Sequence, residues 1–147
     1  MKVGDQIKPF SLQDEQGEIV HIDSNFGKPL VIFFYPKDGS PGCTIEACAF
    51  RDSFEEFINA GVTVFGLSAD SPKSHLAFKE KHRLPFSLLS DKGNQLRKSW
   101  NVPSGLFGLL PGRVTYIFDE KGTLRHIFNS QVRVEQHVVE ALEIIRQ

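Results

Sequence analysis

The sequence is poor in cysteine and carries no excess of charge of either sign. Only two cysteines, Cys43 and Cys48, occur in 147 residues. Two thiols so close in the chain cannot build a disulfide scaffold. A chain of this length does not need one, because it buries roughly 70% of its unfolded surface around a single core. Seventeen basic residues meet 18 acidic ones for a net charge of −1. That balance argues against nucleic-acid binding, which depends on a Lys/Arg excess to displace counterions. No apolar run approaches the ~20 residues of a membrane span. Met1 to Phe10 lack the long apolar segment of a signal peptide, although a mature chain that has shed its presequence reads the same. Repeats, low-complexity tracts and linkers are also missing. The expectation is one soluble, intracellular domain over residues 1–147. What the chain does have is phenylalanine: 13, against two Tyr and one Trp, so Phe carries most of the core-filling area.

Short β-rich runs alternate with helical stretches. Phe10 to Leu12 and Glu18 to Ile22 flank the polar turn Asp14-Glu15-Gln16-Gly17, which predicts an N-terminal hairpin. Leu30 to Tyr35 and Val62 to Leu67 are continuous apolar runs, as expected of strands covered on both faces. Val114 to Phe118 and Leu124 to Phe128 enclose Asp119-Glu120-Lys121-Gly122, a second hairpin whose more alternating second arm reads as an edge strand. Ser71-Pro72 opens a helix running to about His82, a short helix falls within Asp91 to Trp100, and Val138, Val139, Leu142 and Ile145 stripe a terminal helix from Glu135. The order predicts an α/β fold, a mixed sheet with helices on both faces.

Ser40-Pro41-Gly42-Cys43 is the most informative stretch. Ser40 suits an N-cap and Pro41 the first helical position, so Cys43 falls at the third. There, free backbone N–H groups and the positive end of the helix dipole favour the thiolate, the nucleophilic form of cysteine. The helix is expected to stop at Gly61. At 100° per residue, Cys43, Ala47, Phe50, Phe54, Phe57 and Ile58 share the face that packs on the sheet, and Cys48 lies about 140° away. Residues five apart on a helix have Cα atoms about 8.7 Å apart, whereas a disulfide tolerates at most about 6.8 Å. Either the two cysteines never pair or the first turns unwind when they do. Spacing alone also admits two inert buried cysteines. A metal site is poorly supported, since C-x4-C lacks the further ligands that zinc or a cluster needs, and C-x-x-C is absent. His21, His75, His82, His126 and His137 show no metal-binding spacing and read as surface residues, with nothing to select one as partner for Cys43 in a cysteine hydrolase. Lys79 to Arg83 reads as a solvated helix end.

The run from Phe33 to Asp52 resembles the active-site signature of the peroxiredoxins, and more narrowly that of the peroxiredoxin Q, or bacterioferritin comigratory protein, group. Its elements are Pro36, Ser40 and Cys43, followed by Thr44-Ile45-Glu46-Ala47-Cys48. Pro111-Gly112-Arg113-Val114-Thr115-Tyr116 matches the family's later active-site arginine, and Trp100-Asn101-Val102-Pro103 with Leu106-Phe107-Gly108 is similar to the plastid and cyanobacterial branch. The resemblance covers essentially the whole chain. It implies a thioredoxin-like fold and a thiol peroxidase reducing hydrogen peroxide and organic hydroperoxides, with no cofactor or metal.

The resemblance also implies residue roles. Cys43 is the peroxidatic cysteine, and Arg113 stabilises its thiolate and the developing oxyanion. Ser40 contacts a peroxide oxygen, caps the helix, or both, and Pro36 shields Cys43 from water. Glu46 orients Arg113 or Arg51, or simply favours the helix N-terminus. Cys48 resolves the Cys43 sulfenic acid as an intramolecular disulfide, with Gly39 and Gly42 easing the unwinding, and a thioredoxin-type donor reduces it. The group implies a monomer without nucleic-acid or membrane partners, in a bacterial cytoplasm or a plastid. The apolar segment Leu106 to Leu110 either packs on the core or covers the site. A thioredoxin-fold redox sensor that passes its disulfide to a partner is the alternative, and it requires neither Ser40 nor Arg113.

Overall fold

The structure, a computed structural model, describes residues 1–105, 108 and 111–147. The apolar segment Leu106 to Leu110 therefore lies, apart from Gly108, outside the described residues. Strands β1 (Phe10–Gln13), β2 (Ile19–Ile22) and β3 (Leu30–Phe34) are followed by helices α1 (Pro41–Asp52) and α2 (Phe54–Asn59). Next come β4 (Thr63–Ser68), α3 (Pro72–His82), β5 (Ser87–Ser90), a 3-10 turn over Lys92–Asn94 and α4 (Gln95–Ser99). The hairpin β6 (Val114–Phe118) and β7 (Leu124–Asn129) leads into α5 (Gln136–Ile145).

All seven strands form one sheet in the order β2-β1-β5-β4-β3-β6-β7. β3, β4 and β5 are parallel, while β6 and β7 add antiparallel on one side and the β1–β2 hairpin on the other. β7 is an edge, as its alternating pattern predicts. β5 is the strand that composition leaves least defined, because Ser87-Leu88-Leu89-Ser90 is short and as compatible with a loop.

The alternation of side chains along β3 divides the interior. Val31, Phe33 and Tyr35 face α1, α2, α3 and α5 in a core with Phe50, Phe57, Phe78 and Val138. Leu30, Ile32 and Phe34 face α4 and the N-terminal strands in a second core with Phe10, Leu96 and Tyr116. Phe33 stacks on Phe50 at 4.4 Å. Trp100 lies in edge contact with Phe10, Phe34, Tyr116 and Phe118 at 5.3–5.7 Å.

Three expectations about helix faces need correction. The long helix breaks at Ser53, which shifts its phase, so Ile58 is exposed and Phe54 half-buried while Phe57 stays buried. On α5 Val139 is exposed and His137 is buried in its place. Within the Lys79 to Arg83 cluster, Lys79 is half-buried and pairs with buried Glu15 at 2.5 Å rather than pointing into solvent.

Candidate active site

The helix that begins after Ser40 places Cys43 at its third position, buried in the core that holds Phe33, Tyr35 and Phe50. Cys48, about 1.4 turns further along the helix, is half-buried, and both cysteines are free thiols. Ser40 occupies the N-cap position with extended backbone, but its side chain does not cap. Its hydroxyl donates instead to the Lys37 carbonyl at 3.0 Å, which leaves the oxygen lone pairs available as acceptors. The side-chain cap expected at Ser40 is therefore absent. At α3 the same Ser-Pro pair does cap, with Ser71 accepting from the Ser74 N–H at 3.2 Å.

The loop carrying Pro36 to Ser40 is held by a buried polar network. Asp38 accepts from the Tyr35 hydroxyl at 2.5 Å and the Ser74 hydroxyl at 2.8 Å, and lies 2.7 Å from His75 Nδ1. Its backbone N–H donates to Asp70 at 2.8 Å. His75 is fully buried, which corrects its reading as a surface histidine. Asp38, Asp70 and His75 are the one such group of three metal-ligating types among the described residues. The ligand atoms of Asp38 and His75 are already engaged in these hydrogen bonds, so the cluster's evident work is tying the loop to α3 and β4.

Arg113 enters just before β6. Its Nη1 donates to Glu46 Oε1 at 2.8 Å and its Nε to the Gln131 carbonyl at 3.2 Å, while its backbone N–H donates to Gln131 Oε1 at 3.1 Å. Burial pulls the guanidinium pKa down, but Glu46 and then the nearby Cys43 sulfur more than offset this, so the net shift is upward. The guanidinium approaches so closely that a Cβ at Gly42 would lie 2.9 Å from Nη2. Of the alternatives for Glu46, the structure selects Arg113. Arg51 instead pairs with Asp52 and donates to the His82 carbonyl.

Glu46 is fully buried, and its Oε2 has no hydrogen-bond partner among the described residues. That oxygen lies 3.5 Å from Nδ1 of His137, also fully buried, which again corrects a surface reading. His137 Nε2 donates to the Ser130 carbonyl at 2.8 Å and Nδ1 faces the Thr115 hydroxyl at 2.7 Å, an arrangement that suits the neutral imidazole protonated at Nε2. Burial pushes the Glu46 carboxyl up to about 8 against the pull of Arg113. Burial likewise pushes His137 down to about 4, despite the Ser130 hydrogen bond.

These shifts have opposite signs in stability. Neutral His137 stabilises the fold less as pH falls from 6.5 towards 4, because the unfolded chain takes up the proton first. Protonated Glu46 stabilises it less as pH rises from 4.5 towards 8, because the unfolded chain releases its proton first. The two offset each other between pH 4.5 and 6.5, leaving Glu46 alone above that range. Urea unfolding of the reduced protein is expected to show stability falling by about 1–2 kcal/mol between pH 6.5 and pH 8. Glu46→Gln is expected to remove that fall and uncover a loss on the acid side. An unchanged alkaline slope in the variant would contradict the assignment.

Sequence reasoning did not find Gly42 as a close-approach position, Gln131, or the buried roles of His75 and His137. Apart from Ser130, a near neighbour of His137 in the chain, their partners named above lie 18 to 91 residues away, so no local pattern announces them.

A buried helix-start thiol beside a buried arginine, on a sheet of this topology, defines a thiol-based redox fold. The chain matches the AhpC/TSA family over residues 3–127. It is 53% identical to chloroplastic peroxiredoxin Q of Triticum aestivum over 137 residues, 93% of this chain and 63% of that protein, so it spans less than two thirds of that relative's length. Among solved structures, peroxidoxin BcpB from Mycobacterium tuberculosis aligns with a TM-score of 0.89 and 33% identity over 99% of this chain and 97% of that one. The bacterioferritin comigratory protein of Xanthomonas campestris, solved to study its alkyl peroxide reduction, aligns at 0.83 with 30% identity over 93% and 90%. This chain belongs to the AhpC/TSA family, in its peroxiredoxin Q group.

Proposed function

We propose that this protein is a thiol peroxidase that reduces hydrogen peroxide and organic hydroperoxides through Cys43 and Cys48. The observation that carries the reading is the Arg113 guanidinium packed against Gly42, at the start of the helix in which the next residue is the buried Cys43. The Cys43 thiolate attacks one peroxide oxygen in line, the O–O bond breaks, and Cys43 becomes a sulfenic acid while the leaving oxygen departs as hydroxide or alkoxide and takes up a proton. Arg113 stabilises both the thiolate and the charge developing on the leaving oxygen. The Ser40 oxygen accepts from the incoming peroxide hydroxyl, Pro36 limits water at the sulfur, and Glu46 orients Arg113.

Cys48 then attacks the sulfenic sulfur, expelling water and forming an intramolecular disulfide. The two cysteines stand five positions apart on the helix, too far for a bond between them, so the first turns of α1 unwind. Several features favour that opening. Ser40 provides no side-chain cap, Pro41 is exposed, and Pro41, Thr44 and Ile45 line an open cleft of about 500 Å3 shared with α3. A dithiol donor of the thioredoxin type regenerates the pair by exchange. The reading places the protein, as a monomer, in a plastid or a bacterial cytoplasm, without a nucleic-acid or membrane partner. Among the described residues no helix is long and apolar enough to cross a membrane.

One equivalent of peroxide added to the reduced protein is expected to give a Cys43–Cys48 disulfide by peptide mapping, with helical signal lost over residues 41–50. Cys48 recovered as a free thiol from the oxidised monomer would sink the resolving role. Failure of peroxide to consume any thiol would sink the peroxidase itself.

A further inference from the structure

The β3–β6 ladder ends at Phe34 opposite Val114. Beyond it the two strands part, one into Tyr35-Pro36 and the other from Gly112-Arg113, and the gap between them is bridged by a side chain from elsewhere. Arg97 of α4 donates from Nη2 to the Tyr35 carbonyl at 2.8 Å and from Nη1 to the Gly112 carbonyl at 2.7 Å. The first carbonyl belongs to the peptide bond that enters Pro36, the second to the peptide bond that enters Arg113. One planar fork thus grips the backbone immediately before both residues.

The fork is itself anchored. Asp91, fully buried, accepts from the backbone N–H groups of Leu96 at 2.8 Å and Arg97 at 3.1 Å, and its own N–H donates to the Ser68 carbonyl at 2.8 Å. The guanidinium lies over the Phe34 ring, 5.3 Å from its centroid. A Cβ at Gly112 would come within 1.7 Å of the Pro103 carbonyl oxygen, so the backbone that Arg97 grips is packed against the next segment as well.

We propose that Arg97 is a positioning residue of the peroxidatic site, setting the distance between the Pro36 loop and Arg113. The inference rests on the peroxidase reading of Cys43. A planar two-pronged donor is required, because a lysine ammonium keeps the charge but cannot span two carbonyls in fixed geometry. The buried cation also reaches the Cys43 thiolate through the low-dielectric interior, so charge and positioning need to be separated.

Arg97→Lys and Arg97→Met separate them, with oxidation of Cys43 by hydrogen peroxide followed in stopped flow beside alkylation by iodoacetamide. Alkylation needs only the thiolate, whereas peroxide cleavage also needs the geometry. Arg97→Lys is expected to slow oxidation roughly 10- to 100-fold while alkylation stays within about twofold of wild type. Arg97→Met, which loses the cation as well as the fork, is expected to slow oxidation at least as much. Oxidation at the wild-type rate in folded Arg97→Lys overturns the proposal, and so does a parallel fall in both reactions. Should both variants unfold, the wild-type protein still decides: NMR of 15N-arginine-labelled material is expected to show slowly exchanging Arg97 Nη protons, and a freely rotating guanidinium overturns the proposal. Wild-type protein inert to peroxide would instead count against the peroxidase reading.

Discussion

Arg113→Ala is expected to slow single-turnover oxidation of Cys43 by roughly 10²- to 10³-fold, the usual loss when one preorganised oxyanion donor is removed. Two effects combine. The Cys43 sulfur loses the cation beside it, and the leaving oxygen loses its charge-assisted donor. Removal of the guanidinium also strands Glu46, whose Oε1 then has no partner for its lone pairs. With burial the leading influence on that carboxyl, it stays protonated over a still wider pH range. Arg113→Lys is expected to restore the positive charge but recover little of the peroxide rate, because a point-like ammonium cannot hold the fixed planar geometry that serves Glu46, the Gln131 carbonyl and substrate together. Stopped-flow rates against pH separate these contributions. A single-turnover rate unchanged in Arg113→Ala would remove Arg113 from the chemistry.

Cys48→Ser is expected to behave in the opposite way: the first turnover is kept and all later ones are lost. Serine is nearly the same size and Cys48 is only half-buried, so α1 and the Cys43 environment should persist. Peroxide then oxidises Cys43 at close to the wild-type rate, but the sulfenic acid finds no thiol within the chain. NADPH consumption through thioredoxin reductase, thioredoxin and this variant is expected to fall at least ~100-fold, and Cys43 is expected to advance to the sulfinic acid under excess peroxide. Sustained cycling would show that some other thiol resolves the sulfenic acid. Rapid turnover in the first step and none thereafter would also disfavour a sensor reading, in which oxidation passes directly to a partner.

The two expectations share a structural link. Glu46 and Cys43 lie on the same turns of α1, and Glu46 is the helix's buried tie to Arg113. Unwinding α1 to bring Cys48 to Cys43 therefore breaks a buried hydrogen bond that helps hold the reduced site together. A protonated Glu46 makes that separation less costly than parting two full charges in the interior, because a buried charge left alone carries a large desolvation penalty.

How much of this was legible beforehand follows from the range of each interaction. Ser40-Pro41 opening a helix with Cys43 at its third position is a statement about four neighbouring residues, and the backbone obeys it. The failure of Ser40 to cap was not legible, since its hydroxyl chose the Lys37 carbonyl over an amide ahead of it. Periodicity placed Phe50 and Phe57 inward but erred at Ile58, because the break at Ser53 turns the second helix relative to the first. It erred again at His137, a polar residue that tertiary contacts draw into the interior opposite Glu46. Arg97 stands beside Lys98 in a five-residue helix and looks like any surface cation until Tyr35 and Gly112 are seen on either side of it.

The sequence by itself determined the alternation of strands and helices, the placement of Cys43 at the third position of a helix, and a Cys43–Cys48 spacing that a helix cannot bridge. All of these depend on backbone geometry over a few residues, where chemistry and spacing are enough. Tertiary structure alone decided which groups surround the sulfur and how they are paired. Glu46 took Arg113 rather than Arg51, a histidine on the last helix came to face that carboxyl, and a second arginine closed the gap where two strands separate. Those outcomes depend on burial and on partners as far as 91 residues apart, and a low dielectric gives such contacts their strength only once the chain has folded around them.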